Sequence, residues 1–163
     1  IGGAAGAFPP VVGWAAVTGN VDLVSMSLFL IIFMWTPPHF WALALFRSND
    51  YQRAGVPMMP VVAGPDETRW QILLYALAMV PVTLLPFFLG FAGWFYAVTG
   101  LALSLAFAWY AWRVYLDRNG DVAERSARRL FGFSIVFLFA VFAALLVEHI
   151  AWRMPALTTG WGG

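Results

Sequence analysis

The 163-residue sequence predicts an all-α fold, a polytopic bundle of transmembrane helices with five spans. Three observations predict it. Hydrophobic residues make up 62% of the chain and charged residues 10%, where an average soluble domain has roughly 45–50% and about 25%. The apolar residues gather into long stretches, and arginine falls in every second connection between them. So few charges cannot cover a water-exposed globule of this size, which excludes a soluble enzyme, and so apolar a chain is not a disordered one.

A membrane span needs about 20 mostly apolar residues. The first stretch, Gly2 to Val17, is short, and its Gly2, Gly3, Ala4, Ala5 and Gly6 allow close helix packing. Pro9 and Pro10 are expected to kink or interrupt it. The second span runs from Leu23 to Phe46, with another break expected at Pro37-Pro38. The third runs from Trp70 to Leu89 and contains Pro81 and Pro86. The fourth covers Trp94 to Leu116 and the fifth Leu130 to Trp152. No tandem repeat relates them. The tail Thr158 to Gly163 is expected to fray.

Charge orients the spans. Thr18 to Asp22 and Gly90 to Gly93 have no arginine, whereas residues 47–69 hold Arg47, Arg53 and Arg69, and residues 113–129 hold Arg113, Arg118, Arg125, Arg128 and Arg129. The positive-inside rule puts the two basic connections in the cytoplasm and the short turns and C-terminus on the other side. The first span then enters from the cytoplasm. A net charge of +1 offers no field for nucleic acid. With no cysteine, disulfides, thiolate metal sites and cysteine nucleophiles are excluded. The chain opens at Ile1, straight into an apolar segment, with no basic signal-peptide region. It is expected to be a fragment, or a chain whose N-terminal part has been removed.

Candidate chemistry gathers at the end of the second span. His39 lies seven residues before Arg47, about 10 Å inside the basic end at ~1.5 Å per residue. A titratable group at that depth needs a partner or a cavity. It reads either as a neutral histidine bonded to a carbonyl freed by the prolines, or as a ligand-binding or acid–base group. Arg47, Asp50 and Arg53 follow at helical spacing. They read either as an interfacial salt-bridge ladder or as a phosphate site, with arginine forks for phosphoryl oxygens and Asp50 for Mg²⁺. Tyr51 reads as a headgroup-level anchor or a donor to the same ligand. Asp66 and Glu67 could assist, and the helix dipole explains them equally well. Asp117 to Arg129 reads as a solvated hairpin carrying the pairs Asp121–Arg125 and Glu124–Arg128. Glu148, His149 and Arg153 lie at the far end of the fifth span, and His149, about 28 Å from the basic loops, is read as structural.

These residues match a family. Gly2-Gly3-Ala4-Ala5-Gly6-Ala7-Phe8-Pro9-Pro10 and Gly13-Trp14-Ala15-Ala16-Val17-Thr18-Gly19 resemble the middle of the protohaem IX farnesyltransferase (haem O synthase) family. Trp35-Thr36-Pro37-Pro38-His39-Phe40-Trp41-Ala42-Leu43-Ala44 looks like that family's signature, as do Asp50-Tyr51, Arg53-Ala54-Gly55-Val56-Pro57-Met58 and Pro60-Val61-Val62. Ala127-Arg128-Arg129-Leu130-Phe131-Gly132-Phe133-Ser134 resembles its last loop and last helix. Within the UbiA-type intramembrane prenyltransferase superfamily, the Thr-Pro-Pro-His-Phe and Ala-Gly-Val-Pro-Met runs are specific to the haem branch.

The resemblance implies nine transmembrane helices around a central cavity, of which these spans are the last five, forming the C-terminal part of one domain. It also implies two aspartate-containing loops that bind prenyl diphosphate through Mg²⁺. The Asp50 region corresponds to the second of them, but Ala54 stands where a further acid would complete the pattern. The first motif is not in this chain, so the chain by itself is expected to be inactive. The implied reaction joins the farnesyl group of farnesyl diphosphate to a vinyl group of haem B, giving haem O. Asp50 is then assigned to Mg²⁺, Arg47 and Arg53 to diphosphate or a haem propionate, and His39 to haem positioning or iron ligation. Tyr51 joins the ligand-binding set. The implied setting is the bacterial inner membrane, with haem A synthase or terminal-oxidase assembly as possible partners. A quinone or chlorin prenyltransferase of the same superfamily, and half of a secondary transporter with proline-broken helices, are the alternatives.

Overall fold

The computed structural model describes residues 2–118 and 120–158 and is built of helices: α1 (Gly2–Ala7), α2 (Pro9–Thr18), α3 (Leu23–Phe46), α4 (Ser48–Arg53), α5 (Met59–Val62), α6 (Pro65–Phe88), α7 (Trp94–Leu116) and α8 (Gly120–Thr158). Four of them, α3, α6, α7 and the Gly120–Ala151 stretch of α8, are long and apolar enough to cross a membrane. The fraying expected of the tail falls on residues 159–163, outside the described residues.

The first expected span is two short helices. Phe8 keeps helical angles between them, but Pro9 and Pro10 have no N–H to carry the ladder onward. Pro37-Pro38 behaves differently: α3 runs unbroken from Leu23 to Phe46 with both prolines inside it, and α6 likewise contains Pro81 and Pro86. The break expected at Pro37-Pro38 is absent because, in apolar surroundings, no water competes for the freed carbonyls and neighbouring turns hold the helix.

Two boundaries also move. α6 begins at Pro65, five residues ahead of the expected Trp70, with Asp66 and Glu67 in its first turn, where the helix dipole favours acids. α8 begins at Gly120 rather than Leu130, so the charged connection is mostly helix and not a hairpin loop. Charge pairing at i,i+4 explains it: Arg128 Nη2 lies 2.5 Å from Glu124 Oε1. Arg113 closes on Asp117 at 3.5 Å, and Asp117 also accepts from the Ser126 hydroxyl across the connection.

The long helices pack in sequence, α3 on α6, α6 on α7 and α7 on α8, and α8 returns to α3. Ile31, Ile72, Met79, Tyr96, Phe107 and Phe137 form the buried centre. Large apolar side chains such as Phe139 and Trp94 lie on the outside, the inverse of a soluble surface and suited to lipid. α1 and α2 lie along α3. A Cβ on Gly3 would come within 3.1 Å of Thr36 Cγ2, so the small residues of α1 do serve close approach. The start of α3 is fixed by a reciprocal capping box: Ser25 N–H donates to Asp22 Oδ1 at 3.0 Å and Asp22 N–H to Ser25 Oγ at 3.1 Å. The Trp14 indole donates to Asp22 Oδ2 at 3.1 Å, tying α2 to the same corner.

Candidate functional site

His39 sits on α3, two turns before its end. Its ring is stacked between Trp35, one turn earlier, at 4.2 Å between centroids, and Phe131 of α8 at 4.6 Å. Its Nδ1 lies 2.6 Å from Ser134 Oγ on α8. The Trp35 indole N–H donates to the Ser134 carbonyl at 2.8 Å. The histidine is therefore anchored to a neighbouring helix, not to a carbonyl released by Pro37 or Pro38. Phe46, at the end of α3, packs edge-on to Phe131 and receives the Arg128 guanidinium over its ring at 5.1 Å. α3 and α8 thus meet along an aromatic seam that leads from His39 to the basic end.

The short α4 carries the predicted polar group. Arg47 Nη1 and Asp50 Oδ2 pair at 3.0 Å, both side chains more than half exposed at 58% and 59%. Arg53 is exposed and Tyr51 partly buried. Gly55, at φ +67°, reverses the chain after α4, and the Val56 N–H closes back on Tyr51 O at 3.0 Å. The helical spacing expected of Arg47 and Asp50 is realised as an ion pair.

No cluster of three or more His, Asp or Glu side chains that could hold a metal occurs among the described residues. Mg²⁺ does not need one: it is commonly held by one or two carboxylates together with substrate phosphates. Asp50 has one oxygen engaged by Arg47 and a second with which it could hold such an ion.

Beside α4 opens a cavity of about 410 Å³, whose lining includes Phe46, Ser48, Gln52, Arg69, Arg118 and Glu124. Arg69 is its most buried charge. It donates to Asp66 Oδ1 at 2.8 Å and to the Arg118 carbonyl at 3.2 Å, joining the start of α6 to the connection after α7. Glu148, at the opposite end, is buried and accepts from the Gly93 N–H at 2.8 Å. His149 packs on Phe91 at 4.8 Å, in keeping with a structural histidine. Ser134 and Arg69 join the site from elements distant in sequence, and neither is marked as a site residue by the sequence alone. The signal for Ser134 was a lone hydroxyl in an apolar helix, and Arg69 had no signal beyond its charge.

The profile of the UbiA prenyltransferase family matches residues 1–135. The chain belongs to the UbiA prenyltransferase family. Similar proteins include "Protoheme IX farnesyltransferase" of Parvibaculum lavamentivorans, 62% identical over 92% of this chain and 47% of the relative. "Protoheme IX farnesyltransferase 2" of Mesorhizobium japonicum is 57% identical over 96% of this chain and 50% of the relative. "Protoheme IX farnesyltransferase" of Nitrobacter hamburgensis is 60% identical over 93% and 48%. The chain spans about half the length of the curated relatives it matches. No solved structure matches. Family and helices together make this a multi-pass membrane protein.

Proposed function

We propose that the chain forms the C-terminal part of a haem O synthase, which transfers the farnesyl group of farnesyl diphosphate to a vinyl group of haem B. The observation that carries this is the 62% identity, along 92% of the chain, to a relative named for protohaem IX farnesylation. In the reaction the C1–oxygen bond of the farnesyl chain breaks and its electron pair leaves on diphosphate. The vinyl π pair forms the new bond to C1, and water captures the cation left beside the porphyrin ring and loses a proton. The products are haem O and diphosphate.

The residues have chemistry to match. Bound Mg²⁺ would neutralise the leaving diphosphate. Asp50 would hold that ion, and Arg47 and Arg53 would offer forked donors to phosphoryl or propionate oxygens. Tyr51 can donate to the same oxygens. The aromatic rings of Trp35, Phe46 and Phe131 around His39 would offer π faces to an allylic cation and would hold water off until the vinyl group has reacted. His39 is assigned to the haem. Arg47, Arg69, Arg118 and Arg128 lie around one end of the bundle, which supports a cytoplasmic position for that end in a bacterial inner membrane. A contact with haem A synthase or oxidase assembly would take the product onward.

The test is a chimera in which the matched stretch of the P. lavamentivorans relative is replaced by this chain. Membranes containing it should form haem O, identified by mass, only when farnesyl diphosphate, haem B and Mg²⁺ are all supplied. A folded, inserted chimera that makes no haem O, or that prenylates a quinone precursor or a chlorin in preference, would refute the assignment.

A further inference from the structure

Ser134 lies fully buried on α8, and its hydroxyl oxygen has two close neighbours. The Phe131 carbonyl oxygen is at 2.5 Å and His39 Nδ1 at 2.6 Å. A hydroxyl has one proton to donate. Two oxygens 2.5 Å apart repel unless a proton lies between them. A carbonyl oxygen only accepts, so the Ser134 proton is directed at Phe131 O. This is the ordinary back-bond of a serine within a helix, and it does not depend on His39. The hydroxyl therefore meets His39 with a lone pair, and Nδ1 must carry a proton. A neutral imidazole has a single N–H, so Nε2 is left with its in-plane lone pair.

The surroundings hold that orientation. Trp35 and Phe131 cover the two ring faces. The Trp35 indole is itself bonded to the Ser134 carbonyl, so the same serine positions the histidine's edge with its side chain and the histidine's cover with its backbone. The hydrogen bond at one imidazole nitrogen decides what the other is free to do.

We propose that Ser134 is a positioning residue that holds His39 as the Nδ1–H tautomer and so presents Nε2 as an electron-pair donor to the iron of a metalloporphyrin. The proposal rests on the haem-substrate reading above and specifies which atom of His39 serves it.

The test uses the full-length chimera described above, labelled with ¹⁵N-histidine in the membrane; this chain contributes His39 and His149, and a His39→Gln sample identifies the His39 signals. Neutral His39 should show a protonated Nδ1 and a bare Nε2. Ser134→Ala should shift the proton toward Nε2 or mix the two forms, and Ser134→Thr, which keeps a hydroxyl, should restore the wild-type pattern. Iron protoporphyrin should move the Nε2 signal of wild type and of Ser134→Thr, whereas metal-free protoporphyrin should not. A wild-type protein with its proton on Nε2 overturns the proposal, and that measurement needs no variant to fold. An unchanged tautomer in Ser134→Ala overturns it equally. The Nδ1–H tautomer with no response to iron protoporphyrin would overturn iron donation and the haem assignment of His39, while the serine's hold on the tautomer stood.

Discussion

Glu148, near the end of α8, accepts a hydrogen bond at 2.8 Å from the backbone N–H of Gly93, the residue that opens α7. It also reaches the Tyr96 N–H at 3.4 Å. A carboxylate from one helix thus caps the N-terminus of another, where the first N–H groups have no partner of their own. Gly93 makes room for it: a Cβ there would lie 2.7 Å from Glu148 Oε1.

Glu148→Ala should therefore destabilise the fold by about 1.5–3 kcal/mol, the range for a hydrogen bond to a charged group. Glu148→Gln keeps an acceptor and should cost less. Gly93→Ala should also destabilise, because its methyl displaces the carboxylate. Thermal unfolding in detergent would check the order; an alanine variant as stable as wild type would remove the cap from the account.

Asp50→Asn should leave stability within about 1 kcal/mol of wild type, since the Arg47–Asp50 pair is solvent-exposed. In the chimera it should raise the Mg²⁺ concentration needed for turnover and weaken diphosphate binding, because an amide lacks the charge that makes a carboxylate a good Mg²⁺ ligand. Haem binding should change little. Titration of turnover against Mg²⁺ decides it, and an unaltered Mg²⁺ dependence would remove Asp50 from the metal site.

His39→Ala should give folded protein with impaired haem binding and nearly normal farnesyl diphosphate binding. His39→Gln, which keeps one hydrogen bond to Ser134 but ligates iron poorly, should fold better than the alanine variant and still bind haem weakly. Haem absorption spectra measured beside a folding control separate the two effects. Wild-type haem spectra in well-expressed His39→Gln would leave His39 a purely structural role.

Arg69→Ala should release the connection after α7. The guanidinium is only 11% exposed and is paired with Asp66, and its loss also removes the bond to the Arg118 carbonyl. Faster proteolysis around residues 116–120 and a loss of about 1–3 kcal/mol are expected, the cost of leaving a partner unsatisfied. Arg69→Lys should recover part of it, having no planar fork to span both partners.

The long spans were legible because apolar length and arginine placement are local properties, readable without knowing what packs on what. The close approach of α1 followed from its small residues, but that Thr36 is what Gly3 meets did not, because the partner lies on another helix. The prolines were not legible. Pro9-Pro10 interrupts a helix and Pro37-Pro38 does not, although the dipeptide is the same; the difference lies in neighbouring turns. Residues 120–129 read as part of a charged connection because polarity is common to loops and solvated helix ends, and the helix there is held by the i,i+4 pairing of Glu124 with Arg128. At the site, the position of His39 was readable but its partner was not, since Ser134 lies on another helix. Glu148 was placed at the correct end, but its link to Gly93 crosses 55 residues of sequence.

The bond between His39 and Ser134 also has an implication for the order of assembly. The connections of a few residues between α6 and α7 and between α7 and α8 close at little entropic cost, so adjacent helices can pair as soon as they meet. His39 and Ser134 are separated by 95 residues, and their contact must wait until the intervening helices have brought α8 back to α3. Contacts of such separation form late. A chain halted after the hairpins would have its full helix content and an imidazole with no assigned proton, so the histidine's nitrogen spectrum would report completed assembly where helix content could not.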